Sequence, residues 1–431
     1  MSMVSVPFGK GQVKFELPPG MRGRLAESKP LPPLSQIGEA VQQALAQPVG
    51  SPPLRELAKP GHKICIVFTD MTRAVPDHLL VPHLLRELEA AGVRDEDITL
   101  LCGTGMHRAS RPAEKAAKLG QAVVNRYRVV DHEPQNPAGL VDVGTTQSGI
   151  PISVNRIAYQ ADLTIATGTV EPHQMAGYSG GRKTLAIGAG GRDFIASTHG
   201  PHMLEHPGTR LGRIDGNPFH EAVTEAAQRA GLRFILNVVQ DDQKRVVATC
   251  AGEPSAAFLK LVGVARNLYE VPIPHQYDVA VAGVGFPKDQ NIYQASRAAS
   301  YLFFAPTPVV KPGGCIIVPA PCPEGAGQGA GEQHYYQIMR RAADMSSLQA
   351  ELRQKGYPPG AQRAFFMAKV LSENHVIMAG SKSPHIVRDL HMIPAADMNE
   401  AFLIARDRLG RADLDVLIVP HAMITLPIVQ T

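Results

Sequence analysis

Three short segments concentrate residues able to move protons, hold anions or anchor a group. Thr69-Asp-Met-Thr-Arg73 and Gly103-Thr-Gly-Met-His107-Arg108 each place polar side chains directly after an apolar run. The densest is Glu171-Pro-His-Gln-Met-Ala-Gly-Tyr-Ser-Gly-Gly-Arg-Lys183. Within it, Ser179, Gly180, Gly181, Arg182 and Lys183 combine backbone N–H groups with two cations, which suits phosphate or another anion. The Walker spacing Gly-x-x-x-x-Gly-Lys-Ser/Thr is absent. Lys183 also reads as a covalent attachment point, because a deprotonated lysine amine is a usable nucleophile. A Gly-rich turn followed by a solvated lysine fits the same letters.

The chain holds 16 histidines. His107, His173 and His199 follow or border Gly-rich polar loops, and His202, His206 and His220 continue the series. Imidazole serves equally as a nickel or zinc ligand and as a general base. His202-Met-Leu-Glu-His206 fits the inverted zinc pattern His-x-x-Glu-His. A zinc-dependent hydrolase built on the His173–His220 cluster is therefore one alternative function. Further on, Asn291, Gln294 and Arg297 stand at helical spacing, so one face is polar. Facing a cleft, Arg297 can clamp a carboxylate in bidentate fashion; facing solvent, it is an ordinary surface arginine.

Positioning such groups falls to the apolar runs that precede them. Lys63–Phe68 reads as a buried strand of a parallel sheet. Asp97–Cys102 and Ala161–Ala166 read as further strands. His78–Ala91 reads as a helix with Leu79, Leu80, Leu84, Leu85 and Leu88 at helical spacing, and Ile37–Ala46 as a short helix. Val4–Leu17 reads as a hairpin turning near Gly9 to Gly11. The strand–helix alternation predicts an α/β fold with mostly parallel sheets, and in such sheets ligands bind beyond the C-terminal strand ends. The pattern restarts at Tyr277–Gly283, with further strands at Cys315–Pro319, His375–Met378 and Leu414–Val419. Two α/β domains are expected, 1–270 and 271–431, with the active site in the cleft between them. Pro323–Gly331 is expected to form a loop.

The bulk composition narrows the function. The chain has 431 residues, 44% of them hydrophobic, and 43 Lys and Arg against 39 Asp and Glu, a net charge of +4. So small an excess, without basic runs, argues against nucleic acid as a partner and is compatible with a small anion. Five cysteines without a Cys-x-x-Cys pair argue against a disulfide framework. The first 17 residues carry neither a signal-peptide pattern nor a membrane span, so no membrane association is expected and a cytoplasmic location is.

Taken in order, these motifs resemble the nickel-pincer lactate racemase family. The likeness runs from Asp70-x-Thr-Arg73, through Gly105-x-His107-Arg108 and the segment from Glu171 to Lys183 and His199, to Asp289-Gln-Asn-Ile-Tyr-Gln-Ala295 and Leu417–Pro427. The resemblance implies a nickel-pincer nucleotide, a pyridinium mononucleotide with two sulfur-bearing arms, tethered at Lys183 and holding Ni2+ completed by His199. It further implies His107 and His173 as the two bases of a 2-hydroxy-acid racemase or epimerase, working by proton-coupled hydride transfer through a 2-keto acid. Asp70, Thr72, Ser179, Gly180, Gly181 and Arg182 then serve the cofactor or orient its neighbours, and Arg73, Tyr293, Gln294 and Arg297 serve the substrate carboxylate and its surroundings. Cofactor-biosynthesis proteins follow as maturation partners; a non-catalytic nickel or cofactor carrier is the remaining alternative. Two departures bear on the substrate. Arg297 stands where the family usually has Lys, and the chain lacks the Trp of lactate-specific members, with Gln362 or Arg363 in its place. Lactate, a longer aliphatic hydroxy acid, malate and a sugar acid all stay open.

Overall fold

The computed structural model describes residues 3–357 and 362–430. Two six-stranded sheets organise the chain. The first has the order Val246–Gly252, Leu232–Gln240, Leu163–Thr169, Ile64–Thr69, Ile98–Gly103, Arg128–Asp131. Only the pairing of the first two is antiparallel. Every residue of Ile64–Thr69 and Leu163–Thr169 is buried, as continuous apolar runs in a doubly covered parallel sheet demand. From Ile64–Thr69 the chain moves first to one side and then, at Leu163, to the other. The crevice where this order reverses lies beyond Thr69 and Thr169, the usual place for a ligand in such a sheet.

The second sheet is parallel throughout, with the order Ile393–Ala395, His375–Ala379, Val310–Pro319, Tyr277–Ala282, Asp415–Val419, Arg22–Leu25. Its last strand corrects the expected division of the chain. Residues 22–25 join the sheet of the second half, and the hairpin Val4–Phe8/Gly11–Phe15 buries Val6 and Phe15 against that sheet. A continuous run from residue 1 to 270 is thus not one unit. The hairpin's alternation is too short to say which sheet it covers. Near residue 270 the expected change of sheet does occur, through Glu270–Ile273, which pairs in parallel with Leu426–Val429.

The expected helices form at Ile37–Ala46 and Asp77–Ala90. In the latter, Leu80, Val81, Leu84, Leu85 and Leu88 are buried, one stripe of a 3.6-residue period. The segment after Pro323 is a loop only to Gly329; helix Ala330–Arg341 starts next. That loop braces the segment before Tyr293: Ile292 N–H donates to Gly325 O and Glu324 N–H to Gln290 O. The two halves meet where Leu211 N–H donates to Phe304 O (3.0 Å) and Arg210 Nη1 to Phe303 O (3.1 Å). Among the described residues no helix is long and apolar enough to cross a membrane.

Candidate active site

Thr69 ends its strand, and the chain turns at once through Asp70. The Asp70 carboxylate closes this turn by accepting from Thr72 N–H (3.1 Å) and Thr72 Oγ1 (2.6 Å) on Oδ1. Its Oδ2 lies 2.6 Å from His107 Nδ1. A carboxylate only accepts, so Nδ1 carries the proton and His107 Nε2 keeps a free lone pair, the arrangement of an oriented general base. Burial alone pushes the Asp70 carboxyl up, but the hydrogen bonds from His107 and Thr72 outweigh it and hold it below the usual range. The loop carrying His107 is fixed by Gly105 N–H donating to Gly188 O (2.8 Å).

His173 sits in a two-residue strand paired with Gly177–Tyr178. Here Nδ1 accepts, from Met175 N–H (3.3 Å) and Ala176 N–H (3.1 Å). The neutral ring therefore presents Nε2–H. Burial, then Lys183, Arg73, His199 and Arg297, push its pKa well below the ordinary histidine value. Arg297 comes from the second half of the chain, so the charge felt at His173 includes one from that half.

Lys183 lies in the short helix Gly181–Ala186. Burial, with Arg73 acting in the same direction, pushes its amine down to about 7, so a large fraction is an uncharged nucleophile near neutrality. His199 caps helix Arg192–Thr198 and donates from Nδ1 to Ile195 O (2.8 Å). That bond fixes the tautomer and leaves Nε2 free to bind a metal. Burial and the nearby Lys183 lower its pKa to about 4, which keeps the ring neutral. The Phe219 ring meets His199 edge-on (5.1 Å between centroids) and stacks on His173 (6.3 Å).

The glycine loop is arranged differently from an anion cradle. A Cβ on Gly168 would lie 2.6 Å from Gly181 N, so this loop presses its backbone onto the sheet. Gly181 N–H is taken by Asn237 Oδ1 (3.2 Å), and a Cβ on Gly180 would lie 3.0 Å from the Phe258 ring. Ser179 uses its hydroxyl to close the loop on Thr169 O (2.6 Å). Arg182 lies over Phe258, 3.6 Å from the ring centroid, and donates to Thr224 Oγ1 (2.7 Å). Gly181, Ser179 and Arg182 hold the loop that presents Lys183, in line with the expected role of orienting the residues beside the cofactor. Asn237, a lone amide in the apolar run Leu232–Gln240, is the sequence signal for that support.

In the second half of the chain, Asn291 Oδ1 accepts from Gln294 N–H (2.9 Å) and starts the turn carrying Tyr293. Gln294 Oε1 accepts from Arg297 Nη1 (3.3 Å), and Arg297 Nη2 lies 3.4 Å from the Tyr301 hydroxyl. Among the described residues no carboxylate pairs with the Arg73 or Arg297 side chain, so both guanidinium groups are available to an anion. Arg363 is 6% exposed and donates to Ser300 Oγ (2.8 Å) and Ser296 Oγ (3.0 Å), behind the same helix.

No three His, Cys, Asp or Glu side chains converge among the described residues. Glu205 of the inverted zinc pattern pairs with Arg353 (2.6 Å) instead. The His173–His220 cluster therefore assembles no zinc ligand set. A single neutral His199 beside a reactive Lys183 fits a metal that arrives with most of its donors on an organic carrier.

Comparison with known proteins agrees along the whole chain. The lactate racemase N-terminal domain family matches residues 8–212 and the lactate racemase C-terminal domain family residues 274–426. The lactate racemase of Thermoanaerobacterium thermosaccharolyticum is 32% identical over 429 residues, 98% of each chain. That of Lactiplantibacillus plantarum is 33% identical over 391 residues, 89% of each. The structure of the Thermoanaerobacterium lactate racemase apoprotein superposes with a TM-score of 0.86 at 30% identity, covering 99% of this chain and 100% of that one. A Thermotoga maritima protein of 21% identity shares the fold with a TM-score of 0.64, over 94% of this chain and 100% of that one.

Proposed function

We propose that this chain, which belongs to the lactate racemase family and is an isomerase of the racemase type, inverts C2 of a 2-hydroxy acid with a nickel-pincer nucleotide held by Lys183 and His199. The observation carrying this proposal is the Lys183–His199 pair: an amine near neutrality beside a histidine whose Nε2 is free and whose ring is neutral. When bound, the nucleotide, held by Lys183 and His199, would supply a reversible hydride acceptor for C2. The chain does the rest. Arg73 and Arg297 hold the substrate carboxylate, with Tyr293 and Gln294 shaping the wall beside it. His107 Nε2 takes the hydroxyl proton as the hydride leaves, and the 2-keto acid so formed turns within the cleft. His173 presents Nε2–H in this structure and serves the other enantiomer as base once Nδ1 gives up the Met175 and Ala176 N–H donors or the ring turns over.

The substrate need not be lactate. Behind the helix bearing Arg297 stands the buried cation Arg363, paired with hydroxyls and with no carboxylate among the described residues. Burial lowers its pKa to about 10. Arg363 is turned away behind that helix, and without the indole of lactate-specific members the wall beyond C2 is open to a substrate with a further polar group, such as a hydroxy dicarboxylate or a sugar acid.

The test uses protein co-expressed with the cofactor pathway and single enantiomers of several 2-hydroxy acids in deuterated water. Inversion without deuterium at C2, together with an attached mass lost in Lys183→Ala, is expected. Deuterium at C2 overturns hydride return. Loading without inversion of any acid identifies a carrier instead.

A further inference from the structure

Asp77 and Lys118 form a buried ion pair that takes no part in the chemistry described above. Asp77 is 0% and Lys118 5% exposed. The Lys118 ammonium has three N–H donors, and each finds an acceptor: Arg73 O at 2.8 Å, Val75 O at 2.6 Å and Asp77 Oδ2 at 3.1 Å. Asp77 in turn accepts from Thr167 Oγ1 (2.5 Å) and Thr69 Oγ1 (3.3 Å), on the two strands that flank the crevice. Thr167 O then accepts from Thr184 Oγ1 (2.8 Å), on the residue after Lys183.

The turn between these anchors has little else to hold it. Residues 71–74 are all exposed. At its start the turn is tied by Asp70, through Thr72 and through Arg73 N–H donating to Asp70 O (3.2 Å). At its end Val75 is buried and its carbonyl accepts from Asp77 N–H (3.0 Å), but the Arg73 carbonyl itself is held by Lys118, which also reaches Val75 O. A hydrophobic pair could fill the space but could not bond two backbone carbonyls. A buried ion pair adds little net stability against apolar residues of similar size, so its value here lies in geometry.

We propose that Lys118, held by Asp77, is a positioning residue that sets where the Arg73 guanidinium stands. It fixes the Arg73 backbone to the switch point of the first sheet and so governs how the substrate carboxylate is received. The inference rests on the reading above, in which Arg73 meets that carboxylate.

The test is a kinetic double-mutant cycle on cofactor-loaded enzyme. Lys118→Met alone leaves a buried, unpaired Asp77 and risks misfolding, so the neutral pair Lys118→Met/Asp77→Asn is the working variant. With equal cofactor loading, its KM is expected to rise about tenfold while kcat stays within about threefold, since Asp70 and His107 keep their own tie. In an Arg73→Ala background, where KM is already raised, the same pair of changes is expected to leave KM unaltered. A purely structural pair would lower thermal stability in both backgrounds without this KM coupling. A folded neutral-pair variant with wild-type KM, beside an Arg73→Ala variant with raised KM, overturns the inference alone. An unchanged KM in Arg73→Ala overturns both the inference and the reading beneath it.

Discussion

At one edge of the site His107 stands half exposed and donates from Nδ1 to an ionised carboxylate; at the other His173 is enclosed and accepts at Nδ1 from two backbone N–H groups. The residue type is shared, and the tautomers are opposite. His107 is wired to receive a proton at Nε2 and to carry positive charge beside Asp70. His173 is wired to stay neutral with a hydrogen on Nε2, among the cations Lys183, Arg73 and Arg297. Surroundings, more than residue identity, decide which imidazole is a base in the free enzyme. For His173 to act as a base, Nδ1 must give up its two backbone donors or the ring must turn over.

The sharpest break in this comparison is Asp70→Asn. It removes the acceptor that holds His107 in its tautomer, and kcat is expected to fall about 10²- to 10⁴-fold, as for other oriented bases. Steady-state kinetics within about threefold of wild type would show that His107 does not depend on this carboxylate.

Next comes the exchange of each histidine for glutamine. An amide can replace an N–H donor but not a base. His107→Gln is expected to be as inactive as His107→Ala. His173→Gln should retain substrate affinity within about threefold, while His173→Ala loses about tenfold, the scale of one hydrogen bond. Equal KM values for the two His173 variants would remove the donor role.

A smaller effect concerns stability against pH. His199 is held near 4, below its unfolded value of about 6.5. Between those limits the unfolded chain binds the extra proton, so stability rises with pH across that window. Denaturant midpoints at pH 4.5 and 7 should differ less in His199→Gln than in the wild type. An unchanged difference would show that this ring is solvated.

The smallest lies lower still. Asp70 is depressed in the folded state, so its contribution is full above about pH 4 and fades as the pH falls through the folded value. The acid-induced loss of stability below pH 4 should be shallower in Asp70→Asn, measured by the same midpoints. A slope identical to wild type would mean that the bond to His107 adds nothing to folding.

The chain's letters showed which segments matter because each follows an apolar run that has to be a strand, and a strand's C-terminal end is where a parallel sheet exposes polar groups. Asp70, His107 and His173 are legible on that ground, whereas Lys183, inside a short helix, and His199, at the end of another, are singled out only by the resemblance. Their hydrogen-bond wiring is not, since it depends on backbone groups such as Ile195 O and Ala176 N–H whose directions no residue type encodes. Arg182 illustrates a second limit. It follows two glycines and precedes Lys183, yet successive helical residues point about 100° apart, and Arg182 ends over Phe258. Lys118 was invisible for a third reason. Nothing in Pro112–Leu119 distinguishes one buried lysine from its solvated neighbours until the turn at Arg73 is folded against it.

The strand Arg22–Leu25 has a consequence for the order of assembly. Its partner, Asp415–Val419, lies 393 residues further along the chain at the bond from Arg22 to Asp415. On a ribosome this strand emerges 393 residues ahead of its partner and waits through that stretch of synthesis for its place in the sheet. The first sheet, whose strands fall between Ile64 and Gly252, can close much earlier from more local contacts. Closure of the second is a late, high-contact-order event. An exposed strand edge is a hazard in that interval, and Arg22 and Arg24 place charge along it, the kind of residue that discourages pairing with the wrong chain.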